Sequence, residues 1–221
     1  MVGVTLAAVL FDMDGTLVDT EKLWDVALRE LALRYGGVLS DTARAAMVGG
    51  SAETTMRLLR DDLGQPDLDL TEASVVLSTR VKELFAEGVP FKPGAVELLA
   101  AVRAAGIPTA LVTNTGRSLV DLALLTIGAG NFDAVLTSDD VARTKPHPEH
   151  YLAAARALGA EPSRCVAVED SPTGLASARA AGCVLIAVPS ELTLSDDDVA
   201  GATVRSSLLE VDVALLRRLV R

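Results

Sequence analysis

Aromatic residues are scarce in this chain: one Trp, two Tyr and four Phe make up 3% of its 221 residues. Hydrophobic residues nevertheless reach 50%, so the core must be aliphatic and alanine-rich. That favours an α/β or all-α protein over a sandwich, whose strands draw on aromatic side chains. Basic residues are outnumbered, 20 Lys and Arg against 30 Asp and Glu, for a formal net charge of −10. So acidic a chain lacks the basic patch that nucleic acid or an anionic membrane needs, and neither is an expected partner. The two cysteines, Cys165 and Cys183, sit beside apolar runs. They are expected to be free buried thiols in a reducing compartment. His147 and His150 have no thiolate or further histidine near them in sequence, which leaves them surface or supporting roles rather than a zinc site. No apolar run approaches the ~18 residues of a membrane span. The N-terminal MVGVTLAAVLFD has no basic segment and reaches Asp12 too soon for a signal peptide. The expectation is a soluble, cytoplasmic protein, a monomer or weak dimer.

What the chain does have is alternation. From residue 95 onward, apolar runs at 109–112, 134–136, 165–168 and 184–188 read as strands between helical patterns. Gly106, Gly128, Gly159 and Gly182 mark helix ends, and Ser171-Pro172 reads as an N-cap followed by a proline in the first turn. Such alternation implies a doubly wound parallel sheet with right-handed crossovers. Between Thr20 and Gly88 the pattern is helical only, with helices expected near 41–48, 53–63 and 71–85 after one carrying Trp24, Leu28, Leu31 and Tyr35. We read residues 17–92 as a small helical insert on two hinge linkers, interrupting a core formed by 1–16 and 93–221. The acidic stretch ELTLSDDDVAGA reads as a solvated loop and residues 207–220 as one last helix.

The first apolar run, residues 5–10, leads into FDMDGTLVDT. Asp12 and Asp14 stand two apart, so in an extended backbone both carboxylates share one face. Like charges that close call for a cation, and a hard divalent ion is the usual answer. An Asp-rich turn could look the same, so the remaining strand ends provide the test, because a parallel sheet delivers them all to one edge. After 109–112 come Thr113, Asn114 and Thr115, at a helix start suited to an anion. After 134–136 comes TKPHPEHY with Lys145, a candidate point cation for phosphate. After 165–168 come Glu169 and Asp170, a second acidic pair that could complete a metal site with the first.

In that order the four segments resemble the motifs of the haloacid dehalogenase superfamily, in its phosphatase and phosphomutase branch with a helical cap inserted after the first motif. The resemblance covers essentially the whole chain and implies a Rossmann-like sheet of order 5-4-1-2-3. It also implies that Asp12 is the nucleophile that becomes an aspartyl-phosphate and Asp14 the general acid and base. Mg²⁺ would be held by the Asp12 carboxylate, the Asp14 backbone carbonyl and Asp170, with Glu169 nearby. Thr113 and the Asn114 backbone would grip phosphoryl oxygens, Lys145 would balance charge, and Thr16 would line the substrate site. Asp14 argues against dehalogenation, since halide leaves without a proton. The implied reaction is Mg²⁺-dependent hydrolysis of a small phosphorylated metabolite, a sugar phosphate among the candidates. A β-phosphoglucomutase-like phosphomutase is the alternative, and a catalytically idle binding protein the third reading. The mutase's cap arginine is replaced by Ala52 in VGGSAETTM and its cap histidine by Trp24.

Overall fold

The computed structural model describes residues 5–48, 52–190 and 193–220. It divides into two compact units, Met1–Asp19 with Pro90–Arg221, and Thr20–Val89. In the first unit the described strands form a six-stranded sheet. Its members are β1 (Ala8–Phe11), β2 (Thr109–Val112), β3 (Ala134–Leu136), β4 (Cys165–Glu169), β5 (Val184–Ala187) and β6 (Ala202–Val204). Every pairing is parallel, in the order β3-β2-β1-β4-β5-β6. The three central strands are buried along their whole length, as expected when helices cover both faces of a parallel sheet.

The helical units contributed by each chain segment follow their punctuation. Helices α1 (Glu21–Arg34), α2 (Asp41–Met47), α3 (Ala52–Asp62) and α4 (Leu70–Glu87) make up the second unit. Leu28 and Leu31 of α1 and Leu77 and Val81 of α4 are buried where those two helices pack together. Trp24 and Tyr35, read from sequence as part of the same stripe, are only half-buried. The sheet unit adds α5 (Ala95–Ala104), α6 (Arg117–Ile127), α7 (Glu149–Ala157), α8 (Pro172–Ala181) and α9 (Val213–Leu219). Helix α8 starts as its sequence suggests: the Ser171 hydroxyl accepts from the Gly174 amide at 3.1 Å. It stops at Gly182, whose left-handed φ of 85° suits glycine.

Four sequence expectations are corrected. The stretch read as a linker after the first motif lies in the sheet unit: Leu17 and Val18 are fully buried. Val18 bridges Phe91, the Asp19 amide donates to the Pro90 carbonyl at 2.8 Å, and the Lys92 amide donates to that of Leu17 at 2.9 Å. The unit boundaries therefore fall at 19/20 and 89/90 rather than at 16/17 and 92/93. The sixth strand was missed because three half-exposed edge residues carry no apolar run, and it takes Ala202 from the stretch read as loop. The last helix is broken: a 3-10 turn covers Leu208–Glu210, and Asp212, accepting from the Leu215 amide at 2.6 Å, starts α9 afresh. His150 is not a surface group: it is fully buried. Its Nε2 lies 3.0 Å from the Thr137 carbonyl, which makes that nitrogen the protonated one. The residues 49–51 and 191–192, within two of the sequence motifs discussed above, lie outside the described residues. Among the described residues no helix is long and apolar enough to cross a membrane.

Candidate active site

Register brings the acidic residues together. Phe11 of β1 pairs with Leu111 of β2 on one side and with Val168 of β4 on the other. The next residue on each strand is therefore Asp12, Val112 or Glu169, side by side at the carboxyl edge. The Asp12 amide donates to the Val168 carbonyl at 3.0 Å, keeping the strands paired to the last residue. Carboxylate oxygens of Asp12, Glu169 and Asp170 all lie within 4.8 Å of one another, and all three residues are buried. The Asp14 carboxylate is not in that cluster. Its Oδ2 accepts from the Thr113 hydroxyl at 3.0 Å and from the Thr115 hydroxyl at 2.7 Å. The two aspartates of the first motif are thus placed in different surroundings within three residues.

Lys145 arrives from the segment after β3 and is 6% exposed, so it is not a solvated surface charge. Its Nζ donates to Asp12 Oδ1 at 2.7 Å, to Glu169 Oε1 at 2.6 Å and to the Val112 carbonyl at 2.8 Å. Three acceptors satisfy all three ammonium protons. Asn114 holds the lysine's backbone from both sides. Its Oδ1 accepts from the Lys145 amide at 3.0 Å and its Nδ2 donates to the Lys145 carbonyl at 3.2 Å. The Asn114 side chain, read from sequence only as part of a phosphate-binding turn, therefore fixes the lysine loop. Burial and Glu169 push the Asp12 carboxyl up to about 7 despite the opposing Lys145. Burial and Asp12 push Asp170 up to about 9. The lysine is raised above its ordinary value by Asp12 and Glu169, against the pull of burial.

Two glycines make the crowding possible. A Cβ on Gly15, whose φ is +81°, would lie 2.0 Å from Asp170 Oδ2. One on Gly174 would lie 1.9 Å from Glu169 Oε2. Gly174→Ala gains about 1 kcal/mol in helix propensity, but overpacking costs about 1–3 kcal/mol. The carboxylate it strikes cannot retreat without leaving Lys145, so the clash should win. Melting and hydrolysis measured on the same preparation check this; a variant both more stable and fully active would contradict it.

Whether a cation fits can be judged from the oxygens. Asp12 Oδ2 is buried without a hydrogen-bond partner, an expensive state for a carboxylate oxygen. The acidic group to which Asp12 belongs offers hard oxygen donors, the kind that divalent hard ions take. The site therefore fits a divalent cation, with carboxylate oxygens available from Asp12, Glu169 and Asp170. Thr16 Oγ1 is likewise buried and unpartnered.

Residues 6–182 match the haloacid dehalogenase-like hydrolase family. The chain belongs to that family. Among its relatives, Protein CbbY of Rhodobacter capsulatus is 36% identical over 202 residues, 87% of this chain and 89% of the relative. Hexitol phosphatase A of Escherichia coli is 35% identical over 179 residues, 81% of each. A solved structure of a putative β-phosphoglucomutase from Thermotoga maritima superposes with a TM-score of 0.83 at 30% identity, covering 94% of this chain and 97% of that one. This haloacid dehalogenase-like hydrolase is accordingly an enzyme of the phosphatase and phosphomutase kind. The family's sheet order is present, extended by β6. Of the residues singled out in the sequence, Asp12, Lys145, Glu169 and Asp170 form one buried cluster, and Thr113 joins Asp14 beside it. Sequence reasoning missed the hydroxyl that Thr115 gives Asp14, the Asn114 side-chain clamp, and Tyr151, whose hydroxyl donates to Glu169 Oε1 at 2.5 Å.

Proposed function

We propose that this enzyme is a Mg²⁺-dependent phosphomonoester hydrolase for a small phosphorylated metabolite, a sugar phosphate being the favoured class, acting through an aspartyl-phosphate on Asp12. The supporting observation is the asymmetry of Asp12: Lys145 anchors Oδ1, while Oδ2 is buried and unpartnered. Mg²⁺, held by the Asp12 and Asp170 carboxylates and the Asp14 carbonyl, would offset the charge between the attacking carboxylate and the phosphate. An Asp12 oxygen attacks phosphorus, and the ester P–O bond breaks. The departing alkoxide takes a proton from Asp14, which the Thr113 and Thr115 hydroxyls hold in place. Water then gives a proton to Asp14 as it attacks phosphorus, releasing phosphate and restoring Asp12. Lys145 keeps one positive charge beside the carboxylate throughout, and Thr113, the Asn114 amide and Thr16 are assigned to the phosphoryl oxygens and the substrate. The protein's contribution is positioning and charge balance, as expected for phosphoryl transfer.

Purified enzyme should release phosphate from an aryl phosphate with Mg²⁺ and lose essentially all of that activity in EDTA. The same cluster makes a prediction about stability. Asp12 and Asp170 bind protons more tightly in the folded chain than at their ordinary value of 3.8. Their contribution is therefore fully present below about pH 4 and is lost as pH rises through about 7 and about 9. Metal-free protein should lose stability through this window, and Mg²⁺ should restore more at pH 8 than at pH 5. Melting curves with and without EDTA at both pH values measure it; equal metal stabilisation at both would contradict the assignment.

The likeness to a putative β-phosphoglucomutase favours phosphomutase as the second reading. Against it stand Ala52, exposed at the start of α3, and Trp24 in α1, where the mutase branch carries an arginine and a histidine. Measuring released phosphate and isomerised hexose phosphate in parallel separates the two.

A further inference from the structure

Tyr151 is fully buried in α7, is one of only two tyrosines in the chain, and has no place in the reaction as written above. Its surroundings are specific. The hydroxyl donates to Glu169 Oε1 at 2.5 Å, and the Lys145 ammonium lies 5.3 Å from the ring centroid. Glu169 is itself fully buried and is held entirely by protein groups: Lys145 and Tyr151 on Oε1, and the Ser171 hydroxyl on Oε2 at 3.3 Å. A tyrosine packed only for its bulk would leave its hydroxyl on any nearby acceptor. Here it reaches the one carboxylate that competes with Asp12 for the lysine.

From this geometry we propose that Tyr151 is a positioning residue of the active site, holding Glu169 so that Lys145 divides its protons between Glu169 and the Asp12 oxygen. The hydroxyl takes up part of the acceptor capacity of Glu169 Oε1 and fixes where that oxygen sits. The ring lies beneath the ammonium and restrains it from the other side. Without the hydroxyl, Glu169 is free to turn and to draw Lys145 off Asp12. The nucleophile's anchored oxygen would then lose its charge partner during the first step, while contacts to the rest of the substrate remain. Removing an outer partner of this kind costs roughly 10- to 100-fold in activity.

The variant Tyr151→Phe keeps the ring and the buried volume. With Mg²⁺ and an aryl phosphate, kcat should fall about 10-fold or more while KM changes less than about twofold. In a Glu169→Gln background the same substitution should cost less than about twofold, because its effect runs through that carboxylate. Equal losses in the two backgrounds, or a loss of thermal stability with kcat intact, would overturn the proposal. The kinetic arm rests on the hydrolase reading; a second arm does not. Hydrogen exchange of the Lys145 ammonium, followed by NMR in the enzyme without substrate, should be faster in Tyr151→Phe than in wild type. Unchanged exchange overturns the role of Tyr151, even if wild-type enzyme releases no phosphate and the hydrolase reading itself fails.

Discussion

Asp12→Asn should reduce phosphate release on the order of 10⁴-fold or more while leaving the fold at least as stable in the absence of metal. The kinetic half follows from covalent catalysis: an amide has no anionic oxygen to place on phosphorus, and losing a nucleophile removes most of the rate enhancement at once. The stability half follows from the site. Burial and Glu169 push Asp12 up to about 7, so its charge is disfavoured in the folded chain without a cation. Asparagine removes that charge, keeps the shape, and leaves Lys145 paired with Glu169 at 2.6 Å. Inactive protein with an unchanged or raised melting temperature in EDTA is the expected pair of results. A rate above about one per cent of wild type, with asparagine verified in the product by mass spectrometry, would remove Asp12 from the nucleophile's role.

Lys145→Ala should damage both stability and activity. The lysine joins two buried carboxylates, Asp12 at 2.7 Å and Glu169 at 2.6 Å. Breaking a buried ion pair by deleting one partner costs about 3–5 kcal/mol, because the remaining charge is uncompensated. Here two charges remain. The cost should be greater at pH 8, above the value of about 7 to which Asp12 is pushed, and smaller near pH 5, where Asp12 is protonated. Activity should fall about 10²–10³-fold, the usual effect of removing one electrostatic contact to a developing charge. Denaturant unfolding at both pH values, beside hydrolysis rates, measures the two effects. A variant with wild-type stability at pH 8 would show that other groups neutralise the cluster.

These two variants draw on different kinds of information. Asp12 announced itself at the end of a buried run, two residues from Asp14, and the strand segments at 109–112 and 134–136 were read with the bounds they have in the structure. Lys145 was found only because its segment follows a strand. Its three acceptors come from residues 133, 33 and 24 positions away. Tyr151 gave no signal beyond closing TKPHPEHY, since a buried tyrosine on an amphipathic helix ordinarily means packing. Gly174 is explained only by the carboxylate resting where its Cβ would stand. The edge strand β6 and the break at Asp212 escaped because short, half-exposed elements leave little periodicity to read.

The sequence by itself determined the class of fold, the identity of the acidic residues and the order in which they reach the sheet edge. It could do so because a buried parallel sheet writes each strand as an apolar run and sends every strand end to the same side. Only the tertiary structure decided how those residues share their charges. It put Asp14 under two threonine hydroxyls, placed Lys145 between Asp12 and Glu169, and set Tyr151 behind the pair. The reason is physical: hydrogen bonds between residues far apart in the chain depend on register and helix placement to within about an ångström, and no local pattern carries that information.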